Sequence, residues 1–197
     1  MSEYAASSPG EERGAEIRLI GLDGIPEIKP GDDLSAVIGD AIERTRCGLL
    51  PGDVLVVTHK IVSKAEGRLV RLAEVEPSPL ACRLAEQYGK DARQVEVVLR
   101  EAKRIVRMDR GIIIAETSHG FICANAGVDA SNVGPDTVSL LPVDPDASAA
   151  ALRDALAARF GVAPGVIISD SFGRPWRDGL IDGAIGEFVT IARRKGD

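Results

Sequence analysis

Short apolar runs alternate with helical stripes along this chain. Ile17, Leu19 and Ile20, within Glu16–Leu22, predict a first strand. A loop punctuated by Gly and Pro follows from Gly24 to Gly31, and Asp32 or Asp33 can cap a helix. Leu34, Val37, Ile38, Ala41 and Ile42 then recur at helical spacing. After Pro51-Gly52, the run DVLVVT from Asp53 to Thr58 predicts a buried strand. Ser78-Pro79 starts a helix with Leu80, Ala81, Leu84, Ala85 and Tyr88 inward, ended by Gly89. Asp91 caps another, with Val95, Val98, Leu99 and Ala102 inward. Ile105–Met108 and Ile112–Ala115 predict two strands joined by a tight Asp109-Arg110-Gly111 turn, and His119-Gly120 a turn before Phe121–Ala124. Asp144-Pro145-Asp146 precedes a helix with Ala149, Leu152, Leu156 and Phe160 inward. Val166-Ile167-Ile168 is a last buried strand, halted by Ser169-Asp170-Ser171.

This alternation predicts an α/β (α+β) domain, a mixed sheet flanked by helices. The hairpin-like strands between Ile105 and Ala124 argue against a purely parallel sheet. A length of 197 residues suits one medium domain, and nothing in the middle of the chain forces a cut. Met1–Ala15, rich in Ser, Gly, Glu and Ala, reads as a disordered leader.

Composition narrows the function. Aromatics make up only 4% of residues, so aliphatic side chains must build the core. A net charge of -6 disfavours a general nucleic-acid or membrane-surface binder. No apolar run approaches a membrane span, and cytoplasm is the expected compartment. Cys47, Cys82 and Cys123 lack paired spacing and read as reduced, mostly buried thiols. His59 and His119 are the only histidines, which excludes a multi-histidine metal centre. His119, in a turn, is expected to pack or face solvent, and Cys123 to be core. Neither GxGxxG nor GxxxxGK[ST] occurs.

Three stretches can carry chemistry. In HKIVSKAEGR, His59–Arg68, a helical turn would put Lys60 and Lys64 on one face, where they can neutralise a nucleotide's phosphates. The alternative is a solvated basic patch. In NAGVDASN, Asn125–Asn132, Asn125, Asp129, Ser131 and Asn132 offer the oxygen ligands that magnesium or manganese prefers, or simply a well-bonded turn. In GVIISDSFGRPWR, Gly165–Arg177, the carboxylate of Asp170 stands at a strand end beside Ser171, Arg174, Arg177 and the only Trp. It must reach water, a cation or a hydrogen-bond partner, and a local ion pair with Arg174 or Arg177 would also serve. One Asp from each of two loops suits a metal that also holds phosphates. The set reads as phosphoryl chemistry on a nucleotide, with the reaction left open.

Five blocks in order carry a family resemblance: GIPEIKPGDDL from Gly24, GDVLVVTHKIVSKAEGR from Gly52, NAGVDASNV from Asn125, LLPVDPDASA from Leu140 and GVIISDSFGRPWRDGLIDGAIG from Gly165. The chain resembles the coenzyme F-420 γ-glutamyl ligases over about Ile17 to Gly186. The resemblance implies a GTP-dependent amide ligase that adds L-glutamate to the deazaflavin coenzyme precursor and releases GDP and phosphate. It also implies a divalent metal (magnesium or manganese), help from potassium, and a homodimer. Carried over, Ile25, Pro26, Glu27, Ile28, His59, Lys60, Lys64 and Asn132 fall on GTP-contacting positions, and Asp129, Asp170 and Ser171 on metal positions. No catalytic residue is assigned, and Arg174 and Arg177 stay without a role.

The resemblance weakens after Gly186, where Glu187–Asp197 reads as a divergent tail and residues 16–186 as an incomplete ligase domain. By the resemblance, a later glycine-rich loop of the family is expected to have no counterpart in Glu187–Asp197. An active ligase, alone or with a partner chain supplying that loop, is the first expectation. A truncated, non-catalytic remnant that binds nucleotide or pairs with a full-length homologue is the alternative. A metal-dependent phosphohydrolase using Asp170 is a third reading.

Overall fold

A computed structural model describes residues 17–173 and 180–188. Among these residues five α-helices and eight strands follow one another as α1 (Leu34–Thr45), β1 (Val54–Thr58), α2 (His59–Ala65), β2 (Leu69–Arg71), α3 (Pro79–Tyr88), α4 (Ala92–Glu101), β3 (Ala102–Asp109), β4 (Ile112–Thr117), β5 (Ile122–Ala124), β6 (Thr137–Ser139), α5 (Pro145–Phe160), β7 (Gly165–Gly173) and β8 (Leu180–Phe188). The mixed α/β architecture expected from the sequence is the one observed.

The helix starts follow the capping chemistry. Asp33, Ser78, Asp91 and Asp144 each accept a bond from a backbone N–H in the first turn of α1, α3, α4 and α5. Pro145 and Pro79 occupy first helical positions, where no N–H is needed. The β3–β4 hairpin turns on Arg110 and Gly111, both at positive φ (49° and 79°), as a two-residue primed turn requires.

The strands form three small sheets. β1 lies parallel to β7, and β7 is antiparallel to β8. β3, β4 and β5 form an antiparallel meander, and β2 pairs with β6. Two aliphatic cores result. One, built on Val95, Val98, Ile113, Ala115, Val138 and Leu140, sits among α3, α4 and the meander. The other, built on Ile38, Ile42, Val57, Leu156, Val166 and Ile168, sits between the β1–β7–β8 sheet and helices α1 and α5. Arg159 of α5 ties the two helices, reaching Asp40 at 2.7 Å and the Ala36 carbonyl at 3.2 Å.

Four expectations need correction. Residues 17–22 form no strand. A strand requires a ladder partner, and an apolar groove of about 540 Å³ separates this segment from the free edge of β1. Ile17 and Leu19 are exposed, and only Leu22 packs against the second core. β7 does not stop at Ser169 either, because pairing with β8 carries it to Gly173. Of the thiols, only Cys123 is buried, while Cys47 is half-buried and Cys82 exposed. Leu80 of α3 is also exposed, being beyond the edge of the buried stripe. The leader, Arg174, Arg177, Trp176 and the tail from Val189 lie outside the described residues.

Candidate functional site

The site is built where the parallel pair ends. Thr58 is the last residue of β1 to pair with β7, opposite Ser169. His59 and Asp170 are therefore the next residues beyond the carboxyl end of the pair, the edge at which open α/β sheets bind ligands. His59 also opens α2, whose side chains at positions 59, 60 and 64 each meet a carboxylate.

His59 is buried, with 1% of its surface exposed. Its Nε2 stands 3.0 Å from Asp170 Oδ1, and its Nδ1 3.3 Å from Ser63 Oγ. A carboxylate only accepts, so Nε2 carries the proton, and in the neutral ring Nδ1 accepts from the Ser63 hydroxyl. Asp170 Oδ1 takes a second bond from the Ser171 N–H at 2.8 Å.

Lys60 Nζ lies 2.5 Å from Asp129 Oδ2 and also donates to Ser131 Oγ. Ser131 in turn donates its N–H (2.9 Å) and its hydroxyl (2.6 Å) to the Asp129 carboxylate. Burial pushes the Asp129 carboxyl upward, but the bonds from Lys60 and Ser131 outweigh it and hold the group below the usual carboxylate range. The Asp129 backbone is pinned by two bonds with Ser139, at 3.0 and 2.8 Å. Asn132, next to Ser131, is exposed and takes φ 55°, a left-handed conformation its residue type tolerates.

Lys64 is almost wholly buried and finds Glu27 Oε1 at 2.5 Å, while Glu27 itself is largely exposed. The Gly31 N–H donates to the Ala65 carbonyl at 2.8 Å, so the 25–31 loop lies along the end of α2. Ile28 is buried, Ile25 half-buried and Pro26 exposed.

Of the residues singled out from sequence, the structure thus joins His59 to Asp170 and Ser171, Lys60 to Asp129 and the Asn132 loop, and Lys64 to Glu27. Sequence reasoning did not pair Ser63 with His59, although its place four residues on along a helix signals the contact. It also missed the setting of Cys123, whose thiol burial pushes up to about 11, with the negative charge of Asp170 adding to the rise.

The donors here are hard: the carboxylates of Asp129 and Asp170, and the hydroxyls of Ser131 and Ser171. They suit magnesium or manganese better than softer metals. Among the described residues, no group of three or more His, Cys, Asp or Glu side chains can cage an ion alone. This donor set fits a cation that completes its shell with water and phosphate oxygens. Both oxygens of Asp129 are occupied by Lys60 and Ser131, so Asp170 is the readier of the two carboxylates.

No helix among the described residues is long and apolar enough to cross a membrane. A family model described as F420-0:Gamma-glutamyl ligase matches residues 24–195. The Coenzyme F420:L-glutamate ligase of Methanopyrus kandleri is 51% identical over 173 residues, which are 87% of this chain and 67% of that protein. The protein of that name from Methanothermobacter thermautotrophicus is 45% identical, over 92% of this chain and 73% of its own length. That from Methanocaldococcus jannaschii is 39% identical, over 92% and 72%. With its site residues inside the matched span, the chain belongs to the F420-0:gamma-glutamyl ligase family.

Proposed function

We propose that this chain joins L-glutamate by an amide bond to the F420 precursor, F420-0, using GTP and releasing GDP and phosphate. The observation that carries the proposal is the convergence on α2. Adjacent residues His59 and Lys60 hold Asp170 and Asp129, and Lys64 stands one turn further on. Cations and hard oxygen donors on one short helix at a strand end support a site for a nucleotide triphosphate.

The chemistry runs in two steps. A carboxylate oxygen of the precursor attacks the γ-phosphorus of GTP, the bond to the β-phosphate oxygen breaks, and GDP leaves. The glutamate amine then attacks the acyl carbon of the mixed anhydride and expels phosphate, losing its proton. Lys60 and Lys64 would neutralise charge on the phosphates, each leaving its carboxylate partner to do so. Positioning and charge stabilisation are what phosphoryl transfer asks of a protein. Asp129, Asp170 and Ser171 would hold magnesium or manganese, which when bound neutralises phosphate charge and orients the triphosphate. The 25–28 loop and Asn132 would contact the nucleotide, potassium would assist, and the working form would be a homodimer.

The test is incubation of the purified chain with precursor, GTP, glutamate and magnesium. Product should accumulate with one GDP released per amide formed, and hydroxylamine should trap an acyl hydroxamate when glutamate is omitted. Asp170→Asn should abolish both signals. Product formed equally well without GTP, or at an undiminished rate by Asp170→Asn, would refute the proposal.

A further inference from the structure

We infer that His59 is a positioning residue: its buried imidazole fixes the Asp170 carboxylate so that Oδ2 is presented to the divalent cation. The inference rests on the metal reading of the proposed function and adds a role for the His59 ring. That ring has 1% of its residue surface exposed and both nitrogens engaged, so its side chain does not reach a nucleotide as placed.

The geometry gives one polar line from α2 into the site. The Ser63 hydroxyl faces His59 Nδ1, and Nε2 faces Asp170 Oδ1, an acceptor that requires the proton on Nε2. The Ser171 N–H donates to that same oxygen. Both hydrogen bonds that described residues give to Asp170 thus fall on Oδ1. Two donors on one oxygen set the plane of the carboxylate, and Oδ2 is the oxygen left for a ligand. Asp170 is largely buried, with its side chain 13% exposed, so water is a poor substitute for a lost donor. The neighbouring Cys123 thiol is buried and stays protonated, so it adds no competing charge. A purely packing histidine would not need two aligned polar partners, since an aromatic ring of similar volume fills the same space. Partners of this kind, behind a metal ligand, set ligand orientation and metal affinity.

The experiment measures Mn²⁺ binding to the full chain with GTP present, by loss of the free-ion electron paramagnetic resonance signal. Thermal melts check the folding of each variant. His59→Phe keeps the ring and removes the donor, and its Mn²⁺ affinity should fall roughly 10- to 100-fold. His59→Gln, whose amide nitrogen can reach the place of Nε2, should recover most of that loss, which a structural role would not predict. Ser63→Ala should weaken binding less than His59→Phe. In the wild-type chain, nitrogen-15 NMR should show a proton on Nε2 of the ring. A folded His59→Phe that binds Mn²⁺ as the wild type does would overturn the inference while leaving the proposed function standing. So would a wild-type ring protonated on Nδ1 alone, a result that needs no variant to fold. Wild type that retains no Mn²⁺, or Asp170→Asn that binds it as tightly, would overturn the metal reading and the inference with it.

Discussion

Gly186 lies opposite Ile168 in the β7–β8 ladder and faces the start of α5. A Cβ built there would stand 2.4 Å from the Pro145 carbonyl carbon and 2.5 Å from its oxygen. Those are backbone atoms in the first turn of a capped helix, so no side-chain rotation relieves the contact. The Glu187 N–H donates to Asp146 at 2.9 Å and holds the strand against that turn. Gly186→Ala must therefore push β8 away from α5. Overpacking costs about 1–3 kcal/mol, and an immovable backbone contact belongs at about 3 kcal/mol. For a chain of this size, each kcal/mol lowers the melting temperature by about 2–4 °C, so the expected loss is roughly 6–12 °C. Gly134→Ala is the control, because its Cβ would meet nothing within 4 Å and its backbone is not left-handed. Its stability should stay within about 0.5 kcal/mol of wild type. Thermal melts by circular dichroism read both. A Gly186→Ala melt within about 2 °C of wild type would refute the packing argument.

Hydrogen bonding from the Ser78 side chain, then from the Ser78 N–H at 2.9 Å and from Arg100 at 2.9 Å, holds the Glu96 carboxyl at about 2. A depressed carboxyl stabilises the fold above its ordinary pKa and loses that contribution as pH falls toward 2. Glu96→Gln should cost about 1–3 kcal/mol at pH 7 in urea unfolding, and the gap to wild type should narrow steadily below pH 4.5. Lys64 and Glu27 should respond unequally. Glu27→Ala leaves a buried ammonium without its carboxylate and should lower stability by about 1–3 kcal/mol, whereas Lys64→Met should be close to neutral in the same melts. Alkylation at pH 8 followed by peptide mass spectrometry should modify exposed Cys82 first, and Cys123, buried with its thiol raised to about 11, only on unfolding.

Local chemistry was legible in the sequence. Caps at Asp33, Ser78, Asp91 and Asp144, the Arg110-Gly111 turn and the inward stripe of α5 all depend on neighbours within a few residues. Lys60 and Lys64 do share α2, as their spacing implied. What spacing does not encode is the partner. That Lys60 meets Asp129 while Lys64 meets Glu27 depends on how distant loops come to rest. The strand expected at residues 17–22 failed for the same reason, since its alternation was real but no ladder partner lay beside it. The short β2 and β6, three residues each, carry too little pattern to stand out from a loop. The family resemblance put His59 on a GTP-contacting position, and nothing in the local spacing marked it as buried. Its burial follows from the β1–β7 register, which no local pattern specifies.

The parallel register between β1 and β7 also governs when the site can exist. Val54 waits for Gly165, more than a hundred residues later, before the pair can close. The α3–α4–meander core lies wholly between them in sequence, from Leu72 to Leu140, and can form first from nearer contacts. Closing so long a loop is slow, and assembly rates fall as contacts become less local. On a ribosome, His59, Lys60 and Asp129 emerge before Asp170, so the nascent chain carries half of a charged site with no counterpart. In refolding, the β1–β7 seam and the site at its end should be the last features to appear, after the meander's amides are already protected from exchange.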